Sequence, residues 1–536
     1  MPKGFHFFIM LILFVIGENW AEAQNIPLKN NAKLVEQLLR SRPDLFGEIL
    51  KNVKKYEVQI LYTQIDRDQN NQPAFRSHSY RVNSKEYFYP ASTVKLPAAV
   101  LALEKLNTLG IQSLNKHTSL RIDSAYSGQT TVTHDSSSEN RLPAIAHYIK
   151  KIFLASDNDA YNRLYEFLGQ RALNEALWQK GFKDVKIMHR LSIARSAEQN
   201  RYTGSFTFYD GDKIIYQQPL GFNPLAFKNK LKTTLRGKGY IENDALINEP
   251  KDFSQKNFIS LDNLQGVLKA VLFPETVKPK QRFFLTEGDH PFLHKYMSML
   301  PRESAYPEYD TTEHYDSHDK FFMFGDSKQR IPSNFRIFNK IGQAFGYLID
   351  NAYMVDFENK IEFLLAAVIY VNDDQIFNDD KYEYETIGIP FLANLGRVVY
   401  GYEKTRPRRR APNLEKFKIN HSEPRQEARV TFKVTVPPKI TRGIWDMEAI
   451  YKQGVVPSNT TFVVRTDTTI TLRPIAWRDL AFKSAGTISG AVKYHRGLKS
   501  PKRKKWKRSS SSEFTIRPTA RRSIPIRNWA ALTWIL

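Results

Sequence analysis

Apolar positions along the chain recur with two different periods, and the change from one to the other marks the elements. Over residues 33–52, KLVEQLLRSRPDLFGEILKN repeats apolar side chains every three or four positions, which predicts one or two short amphipathic helices. YEVQILYTQIDRD (56–68) then alternates like a strand. The polar turn RDQNNQPAF leads to RSHSYRVN, its expected hairpin partner. The helical period returns in LPAIAHYIKKIFLAS, NDAYNRLYEFLG, RALNEALWQKG and SLDNLQGVLKAVLF. SFTFYDGDKIIYQQ (205–218) reads as strand, Asp-Gly turn and strand inserted among these helices. Far downstream FRIFNKIG, DNAYMVDFE and IEFLLAAVIYVN read as three successive strands, and YEYETIGIPFLANLGRVVYGYEK as a closing helix. Strands, many helices, strands again and a helix predict an α+β, three-layer domain whose antiparallel sheet is built from both ends of the segment.

At the start, Lys3 precedes the short apolar run FHFFIMLILFVIG, and AEA ends it at Ala23. This is the pattern of a cleaved export signal over 1–23. The expected domain then runs over 24–405 and ends where TRPRRRAPN breaks the pattern, with a linker over 406–428. The strand-like ARVTFKVTVPP and NTTFVVRTDTTITLRPIAWRDL predict an incomplete β-sandwich over 429–480, where Trp445 and Trp477 are core side chains or sugar-stacking rings. The rest, 481–536, lacks sustained periodicity and is expected to be a disordered basic tail.

Composition sharpens this division. The net charge of +24 is local: from Gly401 on, 30 Lys and Arg stand against 9 Asp and Glu, while the first 400 residues hold 49 against 46. The basic end would suit anionic envelope polymers, but no nucleic-acid fold is recognisable there. Zero cysteines in 536 residues exclude disulfides, thiol catalysis and thiolate metal sites. His314, His318 and several carboxylates in TTEHYDSHDK could bind a metal, but with no cysteine and no helical H-x-x-x-H register plus third ligand they read as a polar surface loop. No Gly-rich phosphate loop is present, so no cofactor is expected.

The candidate chemistry lies in YPASTVKLPAAVLAL (89–103), where Ser92 and Lys95 are one helical turn apart beside Val94, Leu96, Ala98 and Ala99. Burial among such neighbours disfavours the ammonium form, and a neutral lysine can accept the serine proton. The free N–H groups at the helix start can receive an oxyanion, and Pro97 should make the first turn irregular. Taken alone, Ser92 could simply cap the helix. Two later stretches complete a set: Ser156, Asp157 and Asn158 before a helix, and Lys340, Ile341 and Gly342 on a strand. In order and placement these match S-x-x-K, S-D-N and K-T-G.

On these residues, and on the flanks YPASTVKLPAAVLAL, SLDNLQGVLKAVLF and KIGQAFGYLIDNAYMVDFENKIEFLLAAVIYVN, residues 34–404 resemble the class A β-lactamase family of active-site-serine hydrolases. The resemblance implies a β-lactamase/transpeptidase-like fold and a division of roles. Ser92 is the acylated nucleophile, Lys95 its base, and Ser156 the relay to the leaving group. Lys340 holds positive charge, Asn158 binds the substrate amide, and Asp157 is structural. Gly342 admits the substrate against the strand, and the N–H groups of Ser92 and Gln343 form the oxyanion hole. Two departures stand out. Ile341 lacks the hydroxyl that the family uses at that position, and no E-x-x-L-N loop is present, which leaves Glu198, with Asn200 nearby, as the nearest deacylation base. The expected protein is an exported, periplasmic or secreted monomer acting on a β-lactam or a related amide or ester. A peptidoglycan peptidase or esterase on the same serine, or a non-catalytic envelope or glycan-binding protein, stays open beside it.

Overall fold

A computed structural model describes residues 32–126 and 128–421 and, beyond them, strand segments between 430 and 533. The expected export signal over 1–23 lies outside the described residues. The chain divides into two compact units, Met1–Glu423 and Pro424–Leu536.

In the first unit one antiparallel sheet joins β1 (Gln59–Arg67), β2 (Pro73–Tyr80), β3 (Phe335–Ala344), β4 (Tyr347–Asp356) and β5 (Ile361–Tyr370) in the order β3-β4-β5-β1-β2. Strands more than 250 residues apart in the chain, β1 and β5, are therefore neighbours, with Tyr62 opposite Leu365. Every residue of β5 is buried because helices cover both faces of the sheet. Leu364, Ala366 and Val368 point to one face, and Phe363, Leu365, Ala367 and Ile369 to the other. The second face packs on α1 (Ala32–Arg40), α2 (Pro43–Lys51) and α9 (Ile389–Thr405), through Val35, Leu39, Phe46, Phe391 and Leu395. The first packs on the larger helical layer: α3 (Lys95–Leu109), α4 (Ile145–Ala155), α5 (Asn158–Leu168), α6 (Gln170–Gln179), α7 (Leu261–Leu272) and α8 (Asp289–Ser298). The predicted α+β three-layer architecture is the one observed.

α3 explains its own sequence. Its residues from Lys95 to Ala102 are all buried, so it is apolar all round rather than striped, as a helix surrounded by protein must be. The inserted hairpin forms as strands Ser205–Asp210 and Lys213–Gln218, with Ser119–Asp123 as third member of the small sheet. The closing helix begins as a π-turn over Tyr384–Gly388 before α9, whose Pro390 sits in the first turn, where no N–H is needed.

The stretch 406–428, expected as a linker, is not free chain over 406–421. Arg406 donates to Asp66 at 2.6 Å and to Glu403 at 2.9 Å. Phe417 is buried with its ring 4.8 Å from Tyr353 and 5.4 Å from Phe338. An Arg- and Pro-rich composition hid these anchors, because Arg406 and Arg408 both meet the buried carboxylate of Glu403. In the second unit, strand Arg442–Tyr451 pairs with Thr461–Arg465 and Ile488–His495, and the latter pairs with Arg508–Ile516. The last two fall in the stretch expected to be a basic tail. Trp477 lies outside the described residues.

Candidate active site

The nucleophile turn is short and irregular, as Pro97 requires. Ala91–Val94 form a single 3₁₀ turn, and α3 proper begins at Lys95. Both the N–H and the hydroxyl of Thr93 close on the Pro90 carbonyl, at 3.1 and 2.6 Å. Ala91 is held at φ +46°, a left-handed conformation that costs a non-glycine residue about 1–3 kcal/mol and persists only where its surroundings enforce it. Ser156 is likewise left-handed (φ +49°) where α4 ends. The carboxylate of Asp157 accepts the Ala160 N–H at 2.7 Å and thereby starts α5, the structural role expected of it. The second motif is thus a helix-to-helix corner, aimed at the first.

These elements converge on the amine of Lys95, a fully buried residue. It lies 2.8 Å from Ser92 Oγ, 2.7 Å from Asn158 Oδ1 and 3.2 Å from Ser156 Oγ, and it also donates to the Ser156 carbonyl. The Ser156 carbonyl and Asn158 Oδ1 can only accept. A neutral amine has two N–H donors and one lone pair. With the donors given to those two oxygens, the lone pair is left for the hydroxyl of Ser92. Burial first, and the nearby Lys340 ammonium second, push the Lys95 pKa well below its ordinary value, while Asp319 and Asp157 oppose them. Hydrogen-bond geometry and electrostatics both favour the neutral form of Lys95.

Lys340, also buried, comes from β3 and donates to Ser156 Oγ at 2.7 Å. Its own pKa is lowered by burial and held up by Asp319 and Asp350. Period-2 alternation puts Lys340 and Gly342 on the site's face and sends Ile341 into the opposite core with α1, α2 and α9. Gly342 also has a reason within the fold. A Cβ there would stand 2.6 Å from the Pro90 carbonyl oxygen and 3.2 Å from Ala91 Cβ, so its bare backbone admits the nucleophile turn itself. Gln343 is exposed. Phe345 (φ +53°) and Gly346 (φ +78°) form the two-residue turn closed by Ala344 and Tyr347. Counting the alternating ladder back from that closing pair leaves the Gln343 N–H turned to the sheet's open edge, beside the Ser92 turn.

Glu198 is not brought to this cluster. It is exposed at the start of the short turn Gln199–Arg201. The residue of its loop that reaches the site is Ser192, whose hydroxyl accepts from Asn158 Nδ2 at 2.8 Å. Asn158, expected to bind a substrate amide, therefore has both ends of its own amide engaged. Among the described residues no carboxylate is hydrogen-bonded to Ser92, Lys95, Ser156 or Asn158.

Sequence reasoning also missed the charges behind Lys340. Asp319, Lys320 and Asp350 are all buried, and Asn339 ties them together: it donates to Asp350 at 2.8 Å and to the Asp319 carbonyl at 2.9 Å, and accepts from Lys320 at 2.6 Å. Asp-Lys in a polar loop carries no local signal of burial; only the fold supplies it. His314 and His318 flank this segment, and no group of metal-binding side chains occurs among the described residues.

Comparison with known proteins follows the same lines. Residues 45–210 match the family described as the beta-lactamase enzyme family, a span that holds Ser92, Lys95, Ser156 and Asn158 and stops short of Lys340. No curated protein matches the chain. Among solved structures, a class A beta-lactamase from Clostridium kluyveri is 16% identical, covering 69% of this chain and 100% of that one at a TM-score of 0.36. A beta-lactamase from Sphaerobacter thermophilus is 11% identical, covering 70% and 97% at 0.38. A class A beta-lactamase from Mycobacterium abscessus is 12% identical, covering 69% and 99% at 0.35. With the family match lying over Ser92 and the buried Lys95, the chain is an enzyme, a serine hydrolase.

Proposed function

We propose that this hydrolase opens a β-lactam or a closely related cyclic amide through an acyl-enzyme on Ser92. Ser92 Oγ attacks the carbonyl carbon while its proton passes to Lys95. The oxyanion that forms is met by the N–H groups of Ser92 and Gln343. The C–N bond then breaks, Ser156 gives its proton to the leaving nitrogen, and Lys95 returns one to Ser156. The ring is opened, its acyl carbon is an ester of Ser92, and both side chains regain their starting protonation. The observation that carries this reading is the lone pair of Lys95, left to Ser92 once Ser156 and Asn158 have taken its two N–H donors.

A second reading, a peptidase or esterase on the same serine whose penicillin adduct persists, is favoured by one observation: Ser192, not a carboxylate, is the loop group in contact with the cluster. Intact mass of the purified protein after mixing with a penicillin, followed over time, separates the readings. A transient adduct supports lactam hydrolysis and a lasting one the peptidase. Absence of any adduct in wild type, or its retention in Ser92→Ala, overturns both. We also infer export of the protein, from the apolar run that ends at Ala23. N-terminal sequencing of protein recovered from outside the cytoplasm tests this: a first residue of Gln24 supports it, and an intact Met1 overturns it.

A further inference from the structure

One buried carboxylate interacts with three buried lysines at this site. Asp319 is buried, and its Oδ1 lies 3.2 Å from His318 Nδ1. Its other oxygen is buried without a hydrogen-bond partner. Charge interactions link Asp319 to Lys95, to Lys340 and to Lys320. His318, by contrast, opens to solvent, with 38% of its side chain exposed. The groups around its ring are Asp319 on its own loop, His314 at 5.2 Å, Tyr315 at 5.7 Å and, from β3, Lys340. A proton from water can therefore reach His318, and its charge is felt by a carboxylate that water does not reach.

We propose that His318, acting through Asp319, is a positioning residue of the Ser92 site that sets the pH window in which a neutral Lys95 and a charged Lys340 coexist. The reading rests on the serine-hydrolase mechanism above and adds a residue that it does not use. Protonated His318 cancels the charge of Asp319. Lys95 then loses a neighbour that favours its ammonium form, and it stays neutral, and basic, to lower pH. Neutral His318 leaves Asp319 unscreened, which keeps Lys340 charged to higher pH. The hydrogen bond that His318 donates to Asp319 raises the pKa of His318, so the exchange takes place above the ordinary imidazole range.

The test is the pH profile of the second-order rate of Ser92 adduct formation with a penicillin, for wild type, His318→Gln, Asp319→Asn and the double variant. His318→Gln should move the acid limb up by about half a unit to one unit and leave the alkaline limb in place. Asp319→Asn should move both limbs down, and the effect of His318→Gln should shrink in that background. NMR titration of the Lys95 side chain, which needs no turnover, should show the same displacement. An acid limb and a Lys95 titration that are both unmoved in His318→Gln overturn the proposal while the acylation mechanism stands. Absence of acylation in wild type removes the mechanism instead, and the NMR titration still decides the coupling.

Discussion

Replacing Gly342 by Ala tests the contact between the strand and the nucleophile turn. The added methyl carbon would sit 2.6 Å from Pro90 O, 3.1 Å from Thr93 Cγ2 and 3.2 Å from Ala91 Cβ. Ordinary contact begins near 3.4 Å, so the turn or the strand must retreat by about 0.8 Å. Neither yields easily. Pro90 O is tied to Thr93 twice, and Gly342 is in register with Ile349 within the long β3–β4 ladder. Overpacking of this kind costs about 1–3 kcal/mol, measurable as a lower urea midpoint at unchanged slope. The larger effect should fall on chemistry. Moving Ser92 by most of an ångström from the Lys95 lone pair should slow acylation by roughly 100-fold, read as the rate of adduct formation by intact mass. If Gly342→Ala acylates at the wild-type rate, the strand does not position the nucleophile, and close approach to the Pro90 turn is not what demands a glycine at this position.

Lys95→Met should lower the acylation rate by ~10²–10⁴-fold and alter the pH dependence of stability in a defined direction. A lysine whose folded pKa lies below its unfolded value binds fewer protons when folded, so it makes stability rise with pH between those two values. Thermal melts from pH 7 to 10 should show a smaller rise, or a steeper fall, in the variant than in wild type; parallel curves would refute a neutral Lys95. Arg67 and Glu362 form a bidentate pair at 2.6 Å with 2% and 1% side-chain exposure. Arg67→Met should therefore cost about 3–5 kcal/mol in urea unfolding, with part recovered by adding Glu362→Gln. Glu198→Ala should leave the lifetime of any Ser92 adduct within twofold of wild type, since that exposed side chain does not meet the cluster. A markedly longer-lived adduct would restore it to the mechanism.

Local chemistry alone located most of the elements and half of the site. Strand-like runs became β1 to β5, apolar periodicity marked α4 to α7, and Ser92 with Lys95 was legible because three-residue spacing at a helix start puts their side chains on one face. Gly342 was singled out for the substrate, and its contact with the Pro90 turn was not foreseen. Tertiary structure decided what depends on residues distant in the chain. It chose Ser192 over Glu198 as the loop group at the site, it buried Ile341 on the far side of the sheet, and it surrounded Lys340 with Asp319 and Asp350. A carboxylate carries no local sign of burial or of the cations it will face, since both follow from loop paths that cross between segments more than a hundred residues apart. Backbone periodicity is a property of each short stretch and is written there. Electrostatic environment is a property of what folding brings together.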